Sequence, residues 1–235
     1  MKFHYTDLEN CHAATGLVVV VDVIRAFTNA AVVFSRGAKE IHPVGTVDEA
    51  LDFKRQNPDA LVCGEVGGIP PAGFDFGNSP THTHGLDLNG RIIVQRTSAG
   101  TQGIVRSTQA DRIVAASFMV ASATVKYIQR LRPDEVSFVV TGFTYDGGEE
   151  DQACAEYMEA LLRGGLSDVK PFLDRVRNSH EGRLLRESAM PHAPVSDLEY
   201  CISANKFPFA MPVTRENRHF IMRATDPTHA DSGLT

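Results

Sequence analysis

The chain has 235 residues, of which 43% are hydrophobic and 22% charged, and carries a formal net charge of -6. That balance is the one of a globular protein in water, long enough to bury a sizeable core, and one large α/β domain over residues 1–235 is expected. Net acidity with only local basic clusters argues against nucleic acid; no apolar run nears the roughly 18 residues that crossing a bilayer requires; residues 1–7 lead into polar sequence without a signal-peptide pattern, so a cytoplasmic location is expected.

Taken in chain order, residues 17–21 are an uninterrupted run of Leu and Val that reads as a buried strand, and residues 26–36 place apolar side chains at helical spacing before Gly37. Residues 41–44 suggest a second short strand. Thr46-Val47-Asp48-Glu49 has the capping-box pattern that opens a helix to about Gln56. Leu61 and Val62 then lead into a loop, residues 63–80, rich in glycine and proline and carrying Glu65, Asp75, Asn78 and Ser79. Such a loop lets the main chain approach a bound group closely. Strands are expected at 91–95, 112–116 and 136–140, and helices near 101–109, 121–131 and 149–163. Beyond about residue 166 the pattern becomes shorter helical pieces, at 168–178, 181–188 and 196–203, ending in an apolar Phe220-Ile221-Met222 and a frayed tail from residue 228.

Apolar strands interleaved with helices imply a sheet covered on both faces. The fold class expected is therefore α/β, three layers in α/β/α order, with a mostly parallel or mixed central sheet and a helical C-terminal addition. In such sheets ligands bind beyond the carboxyl ends of the strands. That rule gathers four segments into one cleft.

The first segment, Asp22 to Arg25, puts a carboxylate and a guanidinium just after a buried strand. Asp22 could hold a divalent cation or cap the next helix, and Arg25 could grip an anion or pair with Asp22. The second contributes Glu65, a hard oxygen ligand suited to magnesium, with Asp75 as readily a turn organiser as a ligand. In the third, Gln95-Arg96-Thr97-Ser98-Ala99-Gly100-Thr101 runs from a strand end into a helix, and its amides and hydroxyls could cradle a phosphate or merely cap the helix. It is neither a P-loop nor a dinucleotide fingerprint. The fourth, residues 141–154, is an acidic run opening a helix, its acids favoured by the helix dipole, from which Asp151 stands out as metal ligand or general base.

Other chemistries find little support. Cys11, Cys63, Cys154 and Cys201 lack the spacing of zinc or redox sites and read as reduced packing residues. His82 and His84 read as residues of a solvated loop. No Gly-x-Ser-x-Gly elbow, Cys-x5-Arg loop or Asp-x-Asp phosphatase motif occurs.

Together, Val21-Asp22-Val23-Ile24-Arg25-Ala26, Gly64-Glu65, the 73–80 stretch Gly-Phe-Asp-Phe-Gly-Asn-Ser-Pro, residues 97–101, Glu150-Asp151 with Cys154, and Asp197-Leu198-Glu199-Tyr200-Cys201 resemble the 2-phosphosulfolactate phosphatase family, the ComB-like proteins. The resemblance implies a magnesium-dependent phosphatase of α/β/α fold, removing phosphate from 2-phospho-3-sulfolactate on the route to coenzyme M. It also implies that Asp22, Arg25, Glu65, Asn78, Ser79, Thr97, Gly100, Thr101 and Asp151 face the cleft. Three positions depart from the family pattern: Val66 where an Arg follows the Glu, Ala99 where an Asn is usual, and Val120 where an Asn is frequent. Arg96 stands where a Thr is common.

The expectation that follows is a Mg2+-dependent phosphatase acting on a small anionic phosphorylated acid. Asp22, Glu65 and Asp151 would be the metal ligands, and Asp22, Asp151 and Arg25 the catalytic set. Arg25, Asn78, Ser79, Arg96, Thr97, Ser98, Gly100 and Thr101 would bind the substrate. Direct water attack and an aspartyl-phosphate on Asp22 both remain open, as does a homo-oligomeric state. The rival readings are a non-catalytic anion-binding protein of the same fold, a phosphatase for a different phospho-acid, and a nucleotide-dependent α/β enzyme.

Overall fold

The computed structural model describes residues 1–142, 148–165, 168–187, 190–217 and 219–228. Its strands are β1 (Lys2–Asp7), β2 (Leu17–Val21), β3 (Glu40–Pro43), β4 (Leu61–Gly64), β5 (Ile92–Arg96), β6 (Arg112–Ala116), β7 (Glu135–Val140), β8 (Met211–Glu216) and β9 (His219–Met222). The helices are α1 (Ala26–Ser35), α2 (Val47–Gln56), α3 (Pro80–His84), α4 (Gly100–Arg106), α5 (Ala121–Leu131), α6 (Glu149–Leu162), α7 (Lys170–Asn178), α8 (His180–Glu187) and α9 (Asp197–Cys201).

The described strands form one sheet in the order β1-β7-β2-β6-β8-β9-β3-β5-β4. It consists of two parallel blocks, β1-β7-β2-β6 and β3-β5-β4. Between them the β8–β9 hairpin is inserted, antiparallel to β6 on one side and to β3 on the other. The fold class is α/β with a mixed, mostly parallel sheet and helices on both faces. The C-terminal part corrects the expected all-helical addition, since after α7, α8 and α9 the chain re-enters the sheet and joins its two halves.

Burial explains which strands were readable. All five residues of β2 are buried, as expected for an interior parallel strand with helices on both faces. On one face α1, nine of whose ten residues are buried, packs with α4 against β2 and β6. On the other, α5, α6 and the later helices cover β2, β6 and β7. A smaller apolar cluster sits under α2 against β4 and β5. The capping box is present: Thr46 Oγ1 accepts from the Glu49 amide at 3.1 Å and Glu49 Oε2 accepts from the Thr46 amide at 3.0 Å.

The two parallel blocks meet over α1. Gln95 Nε2, on β5, donates to the Ala26 carbonyl at 3.0 Å, and Gly103 of α4 packs so closely on Val20 of β2 that a Cβ there would lie 2.5 Å from Val20 Cγ1. The sheet therefore curls around α1, bringing the carboxyl ends of β4 and β5 to those of β2 and β7.

Candidate active site

Asp22 follows directly on β2, and its carboxylate turns back over the start of α1: Oδ1 accepts from the Ala26 amide at 2.9 Å. Arg25, not Asp22, stands at the N-cap position of α1, so the capping role open in the sequence reduces to this one bond to the first helical amide. It occupies only part of the group, because Asp22 also faces Glu65, Glu150 and Asp151. Burial, reinforced by Glu65 and Glu150 against the opposing amide bonds, pushes the Asp22 carboxyl up to about 7.

Asp151, in the first turn of α6, is equally enclosed. Its Oδ1 accepts from the Val23 amide at 2.7 Å and its Oδ2 lies 3.2 Å from the Thr141 hydroxyl, so it braces the backbone just beyond Asp22. Burial first, then Glu150 and Asp22, raise its carboxyl well above the usual range. Glu150 is raised as well, by burial and then by Glu181 and Glu149, and its buried Oε2 has no hydrogen-bond partner among the described residues.

Glu65 follows directly on β4 and is spoken for by two loops. Oε1 accepts from the Ser98 amide at 2.6 Å, while Oε2 accepts from the Gly68 amide at 2.7 Å and from Ser98 Oγ at 2.9 Å. The turn at 65–69 and the loop after β5 are thereby fastened together.

These groups line a cleft of about 250 Å3 with Arg25, Asn78, Ser98, Thr141 and Gly142, and an apolar wall of Leu184, Leu185, Met190 and Ala193 closes one side. Arg25 is its basic lining residue. Its Nη1 donates to the His192 carbonyl and to Asp197 Oδ2, both at 2.8 Å, whereas Nε and Nη2 make no hydrogen bond to a described residue. Arg25 therefore pairs with Asp197, not with Asp22, and one edge of its guanidinium hydrogen-bonds to no described residue. Asn78 is buried in the same cleft, and its Oδ1 has no partner among the described residues.

The structure sorts the remaining candidates. Gly100 packs closely against Asp22 and Ala26 but does not itself line the cleft. Ser79, Arg96, Thr97 and Thr101 do not line the cleft. The expected phosphate cradle at 97–101 is largely committed to the protein's own groups: Thr97 and Thr101 hydrogen-bond each other's amides and hydroxyls, the Ser98 amide serves Glu65, and the Gly100 amide serves Asp22. Arg96 Nη1 donates to the Glu65 carbonyl at 2.8 Å, bracing the wall from behind. Asp75 is the turn organiser, accepting from Lys54 Nζ and, at 2.7 Å, from the Val62 amide.

The histidine reading is corrected too, since His82 and His84 lie on α3, capped by Ser79, and His84 packs on Tyr200. All four cysteines are buried and free, and burial raises each thiol, which suits packing and not nucleophilic attack. Part of the fourth segment, residues 143–147, lies outside the described residues. A larger groove of about 670 Å3 runs beside the β8–β9 hairpin, but it contains none of the buried acids.

Sequence reasoning passed over Glu150 and gave Asp197 no role. Glu150 was hidden in an acidic run that the helix dipole already explains. The signal for Asp197 is tertiary, a buried carboxylate facing an arginine 172 residues away.

A divalent cation suits this donor set. Four buried carboxyls, Asp22, Glu65, Glu150 and Asp151, crowd together, and two hard oxygens, Asn78 Oδ1 and Glu150 Oε2, have no partner among the described residues. Among the described residues, the one basic side chain lining the cleft is already paired with Asp197. No group of three or more acidic, histidine or cysteine side chains stands at ready-made ligand geometry among the described residues. Magnesium tolerates that arrangement, because it keeps several waters and binds through one or two carboxylates.

Comparison with known proteins bears on the same segments. The family model described as 2-phosphosulpholactate phosphatase matches residues 3–216. A protein of Bacillus subtilis named as a probable 2-phosphosulfolactate phosphatase is 29% identical over 205 residues, covering 87% of this chain and 90% of its own. Proteins carrying that name from Carboxydothermus hydrogenoformans and Thermoplasma volcanium are 37% and 32% identical, covering 80% and 78% of this chain and 82% of their own lengths.

Proposed function

The chain belongs to the 2-phosphosulpholactate phosphatase family, a family of phosphoric monoester hydrolases, and from that we propose that it hydrolyses 2-phospho-3-sulfolactate to 3-sulfolactate and phosphate, with Mg2+ as cofactor. Residues 1–235 would act as one phosphatase domain, since a single sheet runs through both halves. Among the described residues no helix is long and apolar enough to cross a membrane, and the proposal places the reaction in the cytoplasm on a small anionic phosphorylated substrate.

The observation that carries this reading is the pairing, in one cleft, of an uncompensated acid cluster with the edge of Arg25 that hydrogen-bonds to no described residue. The acids call for a cation and the arginine for an anion, and a phosphate ester with its metal supplies both. Asp22, Asp151 and Glu65 are the residues that would hold Mg2+. Bound there, the ion would neutralise phosphate charge and make water a stronger nucleophile.

The chain's own groups do the rest. Arg25 would take two phosphate oxygens through Nε and Nη2, countering charge that builds in the transition state. Asn78 and Ser98 would orient the ester from the neighbouring loops. Asp22, directly after β2, would act as nucleophile or as the group that aligns water, and Asp151 as the base. Ser79, Arg96, Thr97 and Thr101 support this set from behind the wall.

Phosphate release from a panel of phosphorylated acids, with magnesium or with chelator, tests the proposal. Release from phosphosulfolactate that stops with chelator is expected. Val66, exposed on the turn beside Glu65, favours a second reading, because the family's cation is missing at this rim. Faster release from a phospho-acid without a sulfonate would select that reading. Binding without release from any member would instead select an anion-binding protein.

A further inference from the structure

We propose that Asp197 is the positioning residue of this site: it fixes Arg25 so that one edge of the guanidinium faces the substrate, and it ties that posture to the loop carrying Asn78. The inference rests on the reading of Arg25 as the phosphate-binding cation.

Asp197 opens α9 and is 0% exposed, so its charge survives in the core only if every lone pair facing the protein is answered. Three donors answer it. Oδ2 accepts from Arg25 Nη1 at 2.8 Å, and Oδ1 accepts from Ser79 Oγ at 2.7 Å and from the Thr81 amide at 3.0 Å. Arg25 Nη1 also donates to the His192 carbonyl, so two acceptors hold the same nitrogen and fix the plane of the group. No described residue accepts from the Nε–Nη2 edge, the one that can take an anion through two parallel hydrogen bonds.

The second arm has its own consequence. Ser79 and Thr81 flank the start of α3, and Asn78, the adjoining residue, lies in the cleft. A single buried carboxylate therefore sets the cation on one side of the substrate and the amide on the other. Neutralising Arg25 alone would not need the bonds to Ser79 and Thr81.

The test is a double-mutant cycle on the full-length chain, with Arg25→Gln and Asp197→Asn singly and together. Inorganic phosphate binding in MgCl2 is measured by calorimetry, and kcat and KM for phosphate release are measured in parallel. Asp197→Asn is expected to weaken phosphate binding and raise KM by at least about tenfold, with a smaller change in kcat. In the Arg25→Gln background the same substitution is expected to change binding by less than about twofold.

Losses that multiply would mean that Asp197 acts through general folding, and would overturn the proposal. Should Asp197→Asn fail to fold, Ser79→Ala removes one donor and leaves the ion pair. Weaker binding that vanishes in the Arg25→Gln background supports the positioning role, and unchanged binding refutes it. If Arg25→Gln itself leaves phosphate binding intact, the reading of Arg25 fails; if Arg25→Gln abolishes binding and Asp197→Asn does not, only the Asp197 proposal falls.

Discussion

Gly100→Ala tests the geometry of the site with a single methyl group. A Cβ at Gly100 would lie 2.7 Å from Asp22 Oδ2, 2.7 Å from the Ala26 methyl and 3.2 Å from Asp22 Cβ, where ordinary contacts begin at 3.4 Å. Something must therefore give by about 0.7 Å, and little is free to do so. Asp22 is held through Oδ1 by the Ala26 amide and through its own amide by the Ala116 carbonyl at 3.2 Å, and Ala26 lies in the buried first turn of α1. The backbone of residue 100 is not at positive φ, so the penalty is one of space alone. Overpacking of this kind costs about 1–3 kcal/mol, and a reacting group misplaced by about 1 Å can lose about 100-fold in rate. Urea unfolding and initial rates of phosphate release at saturating magnesium measure the two effects. Gly90→Ala is the control: its Cβ would meet nothing within 4 Å but its φ is +70°, so a stability loss of about 1 kcal/mol with an unchanged rate is expected. A folded Gly100→Ala protein with kcat/KM within about threefold of the parent would refute the placement of Asp22 at the reacting centre.

Three further outcomes are expected. Asp22→Asn removes a charge that burial disfavours, so without metal at pH 8 it should melt no lower than the parent while losing at least about 100-fold in activity; a lower melting point would contradict the electrostatic account. Without metal, stability should fall as pH rises from the ordinary carboxylate range to about 7, because the folded Asp22, Asp151 and Glu150 carboxyls are raised and the folded chain holds protons that the unfolded chain releases. The slope is up to about 1.4 kcal/mol per pH unit for each group, and magnesium should therefore raise the melting temperature more at pH 8 than at pH 5.5; a gain independent of pH would place the metal elsewhere. Asp75→Ala should lose about 1–3 kcal/mol in denaturant melts and leave kcat within about twofold, since Asp75 serves Lys54 and the Val62 amide outside the cleft.

The parts of the fold legible in the sequence are those where local pattern and burial agree. β2 is apolar on both faces and reads as such, and α2 declares its start through Thr46 and Glu49. β1 escaped because it is an edge strand: Phe3 and Tyr5 pack on Phe138 while Lys2 and His4 are exposed, and six residues with none fully buried look merely polar. β8 and β9 escaped for a related reason. They pair only with each other and with strands more than 95 residues away in sequence, β6 and β3, so nothing local announces them. α3 is five residues long and rests on the Ser79 cap, too brief for a periodic signal.

For the site, the strand-end rule gathered Asp22, Glu65, Ser98 and Asp151 into one cleft, and all four line one, because the rule depends on topology and not on side-chain detail. It failed where donors had a choice of partner. The amides at 98 and 100 could have held a ligand phosphate, and the sequence could not tell that Glu65 and Asp22 were already within reach of them. That difference changes the chemistry of the cleft. Amides spent on Glu65 and Asp22 fix the protein's own carboxylates instead of a ligand anion, so under the proposed function the positive charge that a phosphate requires would come from Arg25 and from a metal. The burden on Arg25 is then larger than the motif alone suggested, and so is the value of Asp197, which the chain delivers to it from α9 just before turning back to close the sheet.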